Sequence, residues 1–168
     1  DSESLIKASA NEIFPSYFSD KDNPKPKLLR DIISYARNTR SSVRDAMADR
    51  FSWLESPYGD IEEIAEYYAE KKRAANSCDF DDLLELWYML LRDNPEILQK
   101  YSGRFKNILV DEYQDTNKLQ SDILDLLASH GRISAVGDDA QCIYSWRGAE
   151  IGNILEFRDR YPAAHIYK

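Results

Sequence analysis

Apolar residues recur every three to four positions through the first half of the chain and gather into short unbroken runs in the second half. The first pattern is that of amphipathic helices and the second that of buried strands. Lys27 to Arg40 carries Leu28, Leu29, Ile32, Ile33, Tyr35 and Ala36 as one stripe, with Pro24 and Pro26 ahead of it, where prolines suit a helix start. Ser42 is placed to cap a second helix through Val43, Ala46, Met47 and Phe51. Ser56-Pro57-Tyr58-Gly59 reads as a turn. Asp60 is then expected to cap a long helix from Ile61 to about Asn76, with Ile61, Ile64, Ala65 and Tyr68 on one side. Asp79 is expected to cap another through Leu83, Leu84, Trp87, Leu90 and Leu91, and Asn94-Pro95 to open a short one ending near Gly103.

After Gly103 the period changes. Asn107-Ile108-Leu109-Val110 is a continuous apolar run that stops at Asp111-Glu112, as a buried parallel strand would. Thr116 to Ala128 reads as a helix with Leu119, Ile123, Leu126 and Leu127 inward, and Ile133 to Val136 as a second strand. A helix from about Glu150 to Arg158 and a strand at His165 to Tyr167 complete the expectation. Strand, helix, strand, helix, strand is the signature of an α/β sheet with right-handed crossovers.

Composition narrows the classes. At 168 residues the chain is long enough to bury a core without disulfides. Its 22 basic and 30 acidic residues give a net charge of −8, which excludes binding nucleic acid by bulk positive charge. The longest apolar run, Leu86 to Leu91, is far short of a membrane helix. The start, Asp-Ser-Glu-Ser, has no initiator Met and no basic-then-apolar leader, so it reads as a point inside a longer protein. Cys78 and Cys142 lack disulfide or metal spacing, and the expected setting is cytoplasmic with reduced thiols. Charge is uneven: Lys25, Lys27, Arg30, Arg37, Arg40, Arg44 and Arg50 face only Asp31, Asp45 and Asp49 in the same stretch. That stretch reads either as a solvated helix face or as a nucleic-acid contact.

Three constellations offer chemistry. The first is Asp111-Glu112 at the end of an apolar strand, the edge where open α/β sheets hold ligands. One carboxylate there suits a largely hydrated Mg²⁺ and the other suits activating a water. Acids in this position also cap the following helix, a role open to Asp115, Thr116 and Asn117. The second is Val136-Gly137-Asp138-Asp139-Ala140-Gln141, a strand end followed by a polar turn and an uncharged group able to bond a phosphate oxygen; a plain Gly-Asp turn explains it equally. The third is Ile143-Tyr144-Ser145-Trp146-Arg147, aromatic residues beside a cation, suited to stacking bases and gripping phosphate, or else a core Trp beside a surface Arg.

In this order and spacing, the three resemble the UvrD/Rep-type superfamily 1 DNA helicases. Asp111-Glu112-Tyr113-Gln114-Asp115-Thr116-Asn117 is similar to their motif II and Val136 to Ala149 to their motif III. Asp79-Phe80-Asp81-Asp82-Leu83-Leu84 is similar to a further family segment, and Ile151 to Pro162 continues the likeness. The resemblance implies a partial P-loop NTPase (RecA-like) parallel sheet with an all-helical insertion: residues 1–77 as the helical 1B-like subdomain and 78–168 as part of the 1A-like motor. It implies ATP and Mg²⁺ as cofactors. Asp111, with Glu112 beside it, would hold Mg²⁺; Glu112 would activate the water; Gln141 would touch the γ-phosphate or that water. Asp138 and Asp115 look like supports at the nucleotide. Tyr144, Trp146 and Arg147 would meet single-stranded DNA. The partners implied are single-stranded and duplex DNA and the remainder of the same polypeptide. Asp81 and Asp82 remain open between helix capping and an interdomain contact.

None of the six glycines precedes a Lys, so the phosphate-cradling Gly-Lys-Ser/Thr loop is not in this sequence. In the family that loop lies upstream and the second motor domain downstream. The expectation is an excised piece of a 3′-to-5′ helicase, inactive alone, with one sheet edge or face exposed. The alternatives are a non-catalytic binding or regulatory module on a helicase-like fold, and a metal nuclease using Asp111, Glu112 and Asp138, which lacks an acid-x-Lys pair on a neighbouring strand.

Overall fold

The stripe from Leu28 to Ala36 lies at the heart of a helical unit. The structure, a computed structural model, describes residues 1–138 and 152–167. By its internal contacts the chain divides into two compact units, Asp1–Leu83 and Leu84–Lys168.

The first unit contains α1 (Ser2–Ile13), a 3₁₀ turn at Tyr17–Ser19, α2 (Pro26–Thr39), α3 (Val43–Arg50) and α4 (Tyr58–Ala74). The helix α1 was not individually assigned from sequence. Asp1 caps it, accepting from Glu3 N, and Ile6 and Ala10 bury one face. Pro26 occupies the first turn of α2, where its missing N–H costs nothing, and Arg40 ends the helix in the left-handed conformation. Ser42 caps α3 by accepting from Asp45 N, as expected. The long helix begins earlier than Asp60: Pro57 is its cap residue and Asp60 sits in its first turn, where a carboxylate favours the helix dipole. Ile6, Leu29, Ile32, Ile33, Met47, Phe51, Ile61, Ile64 and Tyr68 form one buried cluster. Each full burial of an Ile or Leu side chain stabilises by about 1.5–3 kcal/mol.

The helix α5 (Phe80–Asp93) begins within the first unit. In the second unit follow α6 (Pro95–Arg104), β1 (Ile108–Val110), a 3₁₀ turn at Tyr113–Asp115, α7 (Lys118–Leu127), β2 (Ile133–Ala135), α8 (Gly152–Leu155) and α9 (Phe157–Arg160). Strands β1 and β2 are parallel neighbours in the register Ile108 to Ile133 and Val110 to Ala135. That is the arrangement a single helical crossover produces. Leu91, Leu119 and Ile123 form the buried centre, with Leu84, Trp87, Ile97, Tyr101 and Leu126 packed on it. Leu109, mid-strand, is 81% exposed, so one face of the two-stranded sheet lies open.

Two expectations change. The helix anticipated from about Glu150 to Arg158 is, within the described residues, two short helices separated at Glu156, whose ψ of 6° is not helical. Residues 165–167 form no strand: they have no regular secondary structure, and the turn from Ala164 N to Tyr161 O lies just before them. An apolar stretch becomes a strand only by pairing with a free sheet edge, and no ladder partner reaches this one among the described residues. No described helix is long and apolar enough to cross a membrane.

Candidate nucleotide site at the end of the first strand

The β ladder continues past both strands: Val136 N donates to Val110 O at 2.8 Å and Tyr113 N to Val136 O at 2.9 Å. This brings the residues after β1 beside the residues after β2. Asp111 and Glu112 emerge at that edge, both exposed. Glu112 N donates to Asp111 Oδ1 at 3.0 Å. The Glu112 backbone sits at φ 51° and ψ 44°, the left-handed region, which disfavours residues bearing a Cβ. Such strain persists only where surrounding bonds over-determine it.

Those bonds come from the buried side of the motif. Tyr113 and Gln114 are 0% and 1% exposed. Gln114 Nε2 donates to Glu112 Oε2 at 2.6 Å, and Gln114 Oε1 accepts from Asp138 N at 3.1 Å. Gly137 makes room for this amide: a Cβ there would lie 2.3 Å from Gln114 Oε1 and 2.8 Å from Ile154 Cδ1. Thr116 Oγ1 donates to Tyr113 O at 2.7 Å and closes the 3₁₀ turn. Asn117 caps α7 in a capping box, accepting from Gln120 N at 2.8 Å while Asn117 N donates to Gln120 Oε1 at 3.0 Å. Capping in this motif therefore falls to Asn117. One buried oxygen of Asp115, Oδ1, has no hydrogen-bond partner among the described residues.

The motif is braced from behind. Asn153, 1% exposed, donates to Thr116 O at 2.8 Å and accepts from Arg160 Nη2 at 2.9 Å. Arg160 also donates to Ser121 Oγ at 2.6 Å, and Tyr161 Oη to Asp125 Oδ1 at 2.7 Å. Burial, followed by that bond to Asp125, raises the Tyr161 phenol well above its ordinary value. Tyr113 meets Phe157 edge-on at 5.4 Å. The sequence reading gave Gln114, Asn153 and Arg160 no site role. No local sequence signal marks them, because their roles depend on partners brought close by folding.

Of the expected site residues, Asp111, Glu112 and Asp138 come to this edge, Asp138 through its backbone N–H. Gln141, Tyr144, Trp146 and Arg147, and Cys142 with them, lie outside the described residues. Among the described residues no group of three or more His, Cys, Asp or Glu side chains is placed to hold a metal ion. The exposed Asp111 and Glu112 carboxylates are hard oxygen donors, the kind a largely hydrated cation accepts.

Away from this edge, Asp79 and Asp82 cap α5 reciprocally: Asp82 N donates to Asp79 Oδ1 at 2.8 Å and Asp79 N to Asp82 Oδ2 at 2.9 Å. Asn38 Nδ2 donates to Asp81 Oδ1 at 3.0 Å. Within the basic stretch, Arg30 pairs with Glu3 and Asp31, Arg37 pairs with Asp82, and Arg44 and Arg50 lie over the rings of Tyr58 and Tyr35. Arg30, Arg37, Arg44 and Arg50 therefore have partners inside the first unit.

Comparison with known proteins agrees with the motifs. Residues 2–162 match the UvrD/REP helicase N-terminal domain. The chain is 38% identical over 147 residues to the ATP-dependent DNA helicase PcrA of Leuconostoc citreum, covering 87% of this chain and 19% of that protein. It is 34% identical over 166 residues to PcrA of Staphylococcus aureus (strain Mu50), covering 98% and 22%. It is 32% identical over 157 residues to the putative ATP-dependent DNA helicase YjcD of Bacillus subtilis, covering 90% and 19%. The chain spans about a fifth of the length of the curated relatives it matches. With the two carboxylates at the end of β1 and a family match over nearly its whole length, the chain belongs to the UvrD/REP helicase N-terminal domain family.

Proposed function

We propose that this chain is the part of an ATP-dependent 3′-to-5′ DNA helicase that supplies the water-activating half of the nucleotide site and the coupling to single-stranded DNA. The observation that supports this most is the placement of Asp111 and Glu112 at the carboxyl end of β1, with Glu112 held in a left-handed conformation and hydrogen-bonded to Gln114. A module without catalysis has no evident use for a strained, tethered carboxylate at that edge.

In this reading Asp111 anchors the magnesium of Mg-ATP, Glu112 accepts the proton of the attacking water, and Gln141 senses the γ-phosphate. Magnesium, when bound, neutralises charge on the phosphate oxygens. Asp111 would hold that ion through its exposed carboxylate. Glu112 leaves Oε1 for the water, since Oε2 already accepts from Gln114. Asp138 lends its backbone to the same network. Tyr144, Trp146 and Arg147 hold single-stranded DNA, Trp146 by stacking. Residues 1–77 act as the helical 1B-like subdomain and 78–168 as part of the 1A-like motor. The remainder of the helicase supplies the phosphate loop and the second motor domain.

The test is ATP turnover and unwinding by the complete helicase polypeptide. DNA-stimulated phosphate release should vanish with Glu112→Gln, and partial duplexes with a 3′ overhang should unwind in preference to those with a 5′ overhang. Turnover that survives Glu112→Gln would contradict the reading. The 168-residue chain alone should release no phosphate above background, because the backbone N–H groups and Lys of a phosphate loop are not in its sequence.

A further inference from the structure

We infer that Gln114 is the positioning residue of the hydrolytic site: it clamps the Glu112 carboxylate to the Gly137–Asp138 turn, so that the segment after β2 and the water-activating group move as one. The inference rests on the reading of Glu112 as the water-activating base.

The chemistry of the bridge admits few side chains. An ionised carboxylate only accepts hydrogen bonds, and a backbone N–H only donates. A group joining Glu112 Oε2 to Asp138 N must therefore donate at one end and accept at the other. The Gln114 amide does this, with Nε2 on Glu112 at 2.6 Å and Oε1 on Asp138 N at 3.1 Å. The partners decide which end of the amide is which, because a flipped amide would set oxygen against carboxylate and N–H against N–H. Glutamate in its place would lack the donor, and leucine would lack both groups.

The clamp is stiff at both ends. Gln114 is 1% exposed and lies in a 3₁₀ turn closed by Thr116, so its side chain has little room for other rotamers. Its neighbour Tyr113 donates from the backbone to Val136 O, so the turn and the end of β2 are already tied by main chain. On the opposite side, Gly137 leaves the space that Gln114 Oε1 occupies; a Cβ would overlap it at 2.3 Å. Glu112 has a left-handed backbone and donates its own N–H to Asp111 Oδ1. With its main chain held, the Gln114 contact selects the direction of its carboxylate. One of the two bonds thus joins residues 24 positions apart in sequence, Gln114 and Asp138. The turn that Gln114 holds is the one from which the chain leads on to Gln141 and Trp146.

The experiment uses Gln114→Leu, Gln114→Glu and Gly137→Ala in the complete helicase polypeptide. Each should lower kcat for ATP by about tenfold or more, with KM for ATP and single-stranded DNA affinity within about twofold, as for an interaction expressed mainly in the transition state. Unchanged kcat would overturn the inference. Turnover that survives Glu112→Gln itself would instead overturn the reading on which it rests. A second arm uses the 168-residue chain and no nucleotide. Protection of the Asp138 amide from hydrogen exchange should drop with Gln114→Leu and persist with Gln114→Glu, which keeps the acceptor. Equal protection in all three proteins would remove the clamp. If Gln114→Leu fails to fold, Gln114→Glu and the shift of the Gln114 side-chain amide resonances on Glu112→Gln decide the matter; resonances that do not move would refute the contact.

Discussion

The Lys72 ammonium, on a side chain only 5% exposed, meets Asp82 Oδ2 at 2.5 Å. It also meets Asp79 Oδ2 at 2.5 Å, and Arg37 reaches Asp82 Oδ1 from α2 at 2.5 Å. Tyr68 Oη donates to Asp79 Oδ2 at 2.8 Å, and burial together with the nearby carboxylates pushes its phenol up to about 12. The Asp79–Asp82 segment, whose role the sequence left between capping and contact, thus caps α5 and binds the ends of α2 and α4 within the first unit. A desolvated cation between two carboxylates is costly to remove singly, because its partners are left facing one another.

Lys72→Met should therefore destabilise the chain by about 3 kcal/mol. Equilibrium urea unfolding followed by circular dichroism measures this. Adding Asp82→Asn to Lys72→Met should recover part of the loss by removing one uncompensated charge. A Lys72→Met protein as stable as the parent would mean that the cluster contributes nothing.

The same cluster sets an acid limit. Burial by itself would raise the Asp82 carboxyl, but the Lys72 bond, the Asp79 N–H and Arg37 outweigh it and hold the group at about 2, against an ordinary 3.8. Between those values the unfolded chain binds more protons, so stability increases with pH. The contribution is fully present above about pH 4, amounts to about 2 kcal/mol, and is lost as pH falls through 2. Melting temperatures from pH 6 to 2 should show Asp82→Asn losing its disadvantage as the pH drops. A stability difference that does not depend on pH would exclude this account.

Asn153→Ala should weaken the support behind the candidate nucleotide site. It removes the donor to the buried Thr116 carbonyl and one acceptor of Arg160. Loss of such a buried partner costs about 1–3 kcal/mol. Thermal melting reads the loss, and hydrogen exchange should localise it to residues 113–117. A melting temperature equal to that of the parent protein would show that α8 does not brace the motif.

In the complete helicase, Trp146→Ala and Glu112→Gln should have opposite effects. If Trp146 stacks on a base, its removal weakens single-stranded DNA binding by about 1–3 kcal/mol, roughly 5- to 150-fold, and leaves DNA-free ATP hydrolysis nearly unchanged. Glu112→Gln should abolish turnover while DNA is still held. A core Trp would instead cost about 3–5 kcal/mol of stability, with both activities lost together. Measuring stability, DNA affinity and basal turnover on one preparation separates these cases.

What was legible in the sequence was what neighbouring residues decide among themselves. Ser42 with Asp45 caps a helix within four residues, and Ile108-Leu109-Val110 before Asp111 reads as a parallel strand with carboxylates at its end, although the expected burial fails at Leu109, which is exposed. The α2 stripe needed only a helical repeat to be recognised. Asp60 was misplaced because Pro57 starts the helix earlier, and several polar residues in that turn could have served as cap.

The sequence by itself determined the family motifs, their order, the helical first half and the two strands, because periodicity, caps and motif spacing are written in residues a few positions apart. Only the tertiary structure decided that Gln114 grips both Glu112 and Asp138, that Asp82 answers Arg37 from 45 positions away, and that residues 165–167 stay out of the sheet. Each depends on which distant groups become neighbours after burial, where an amide, a carboxylate or an apolar run takes its role from the partner it meets.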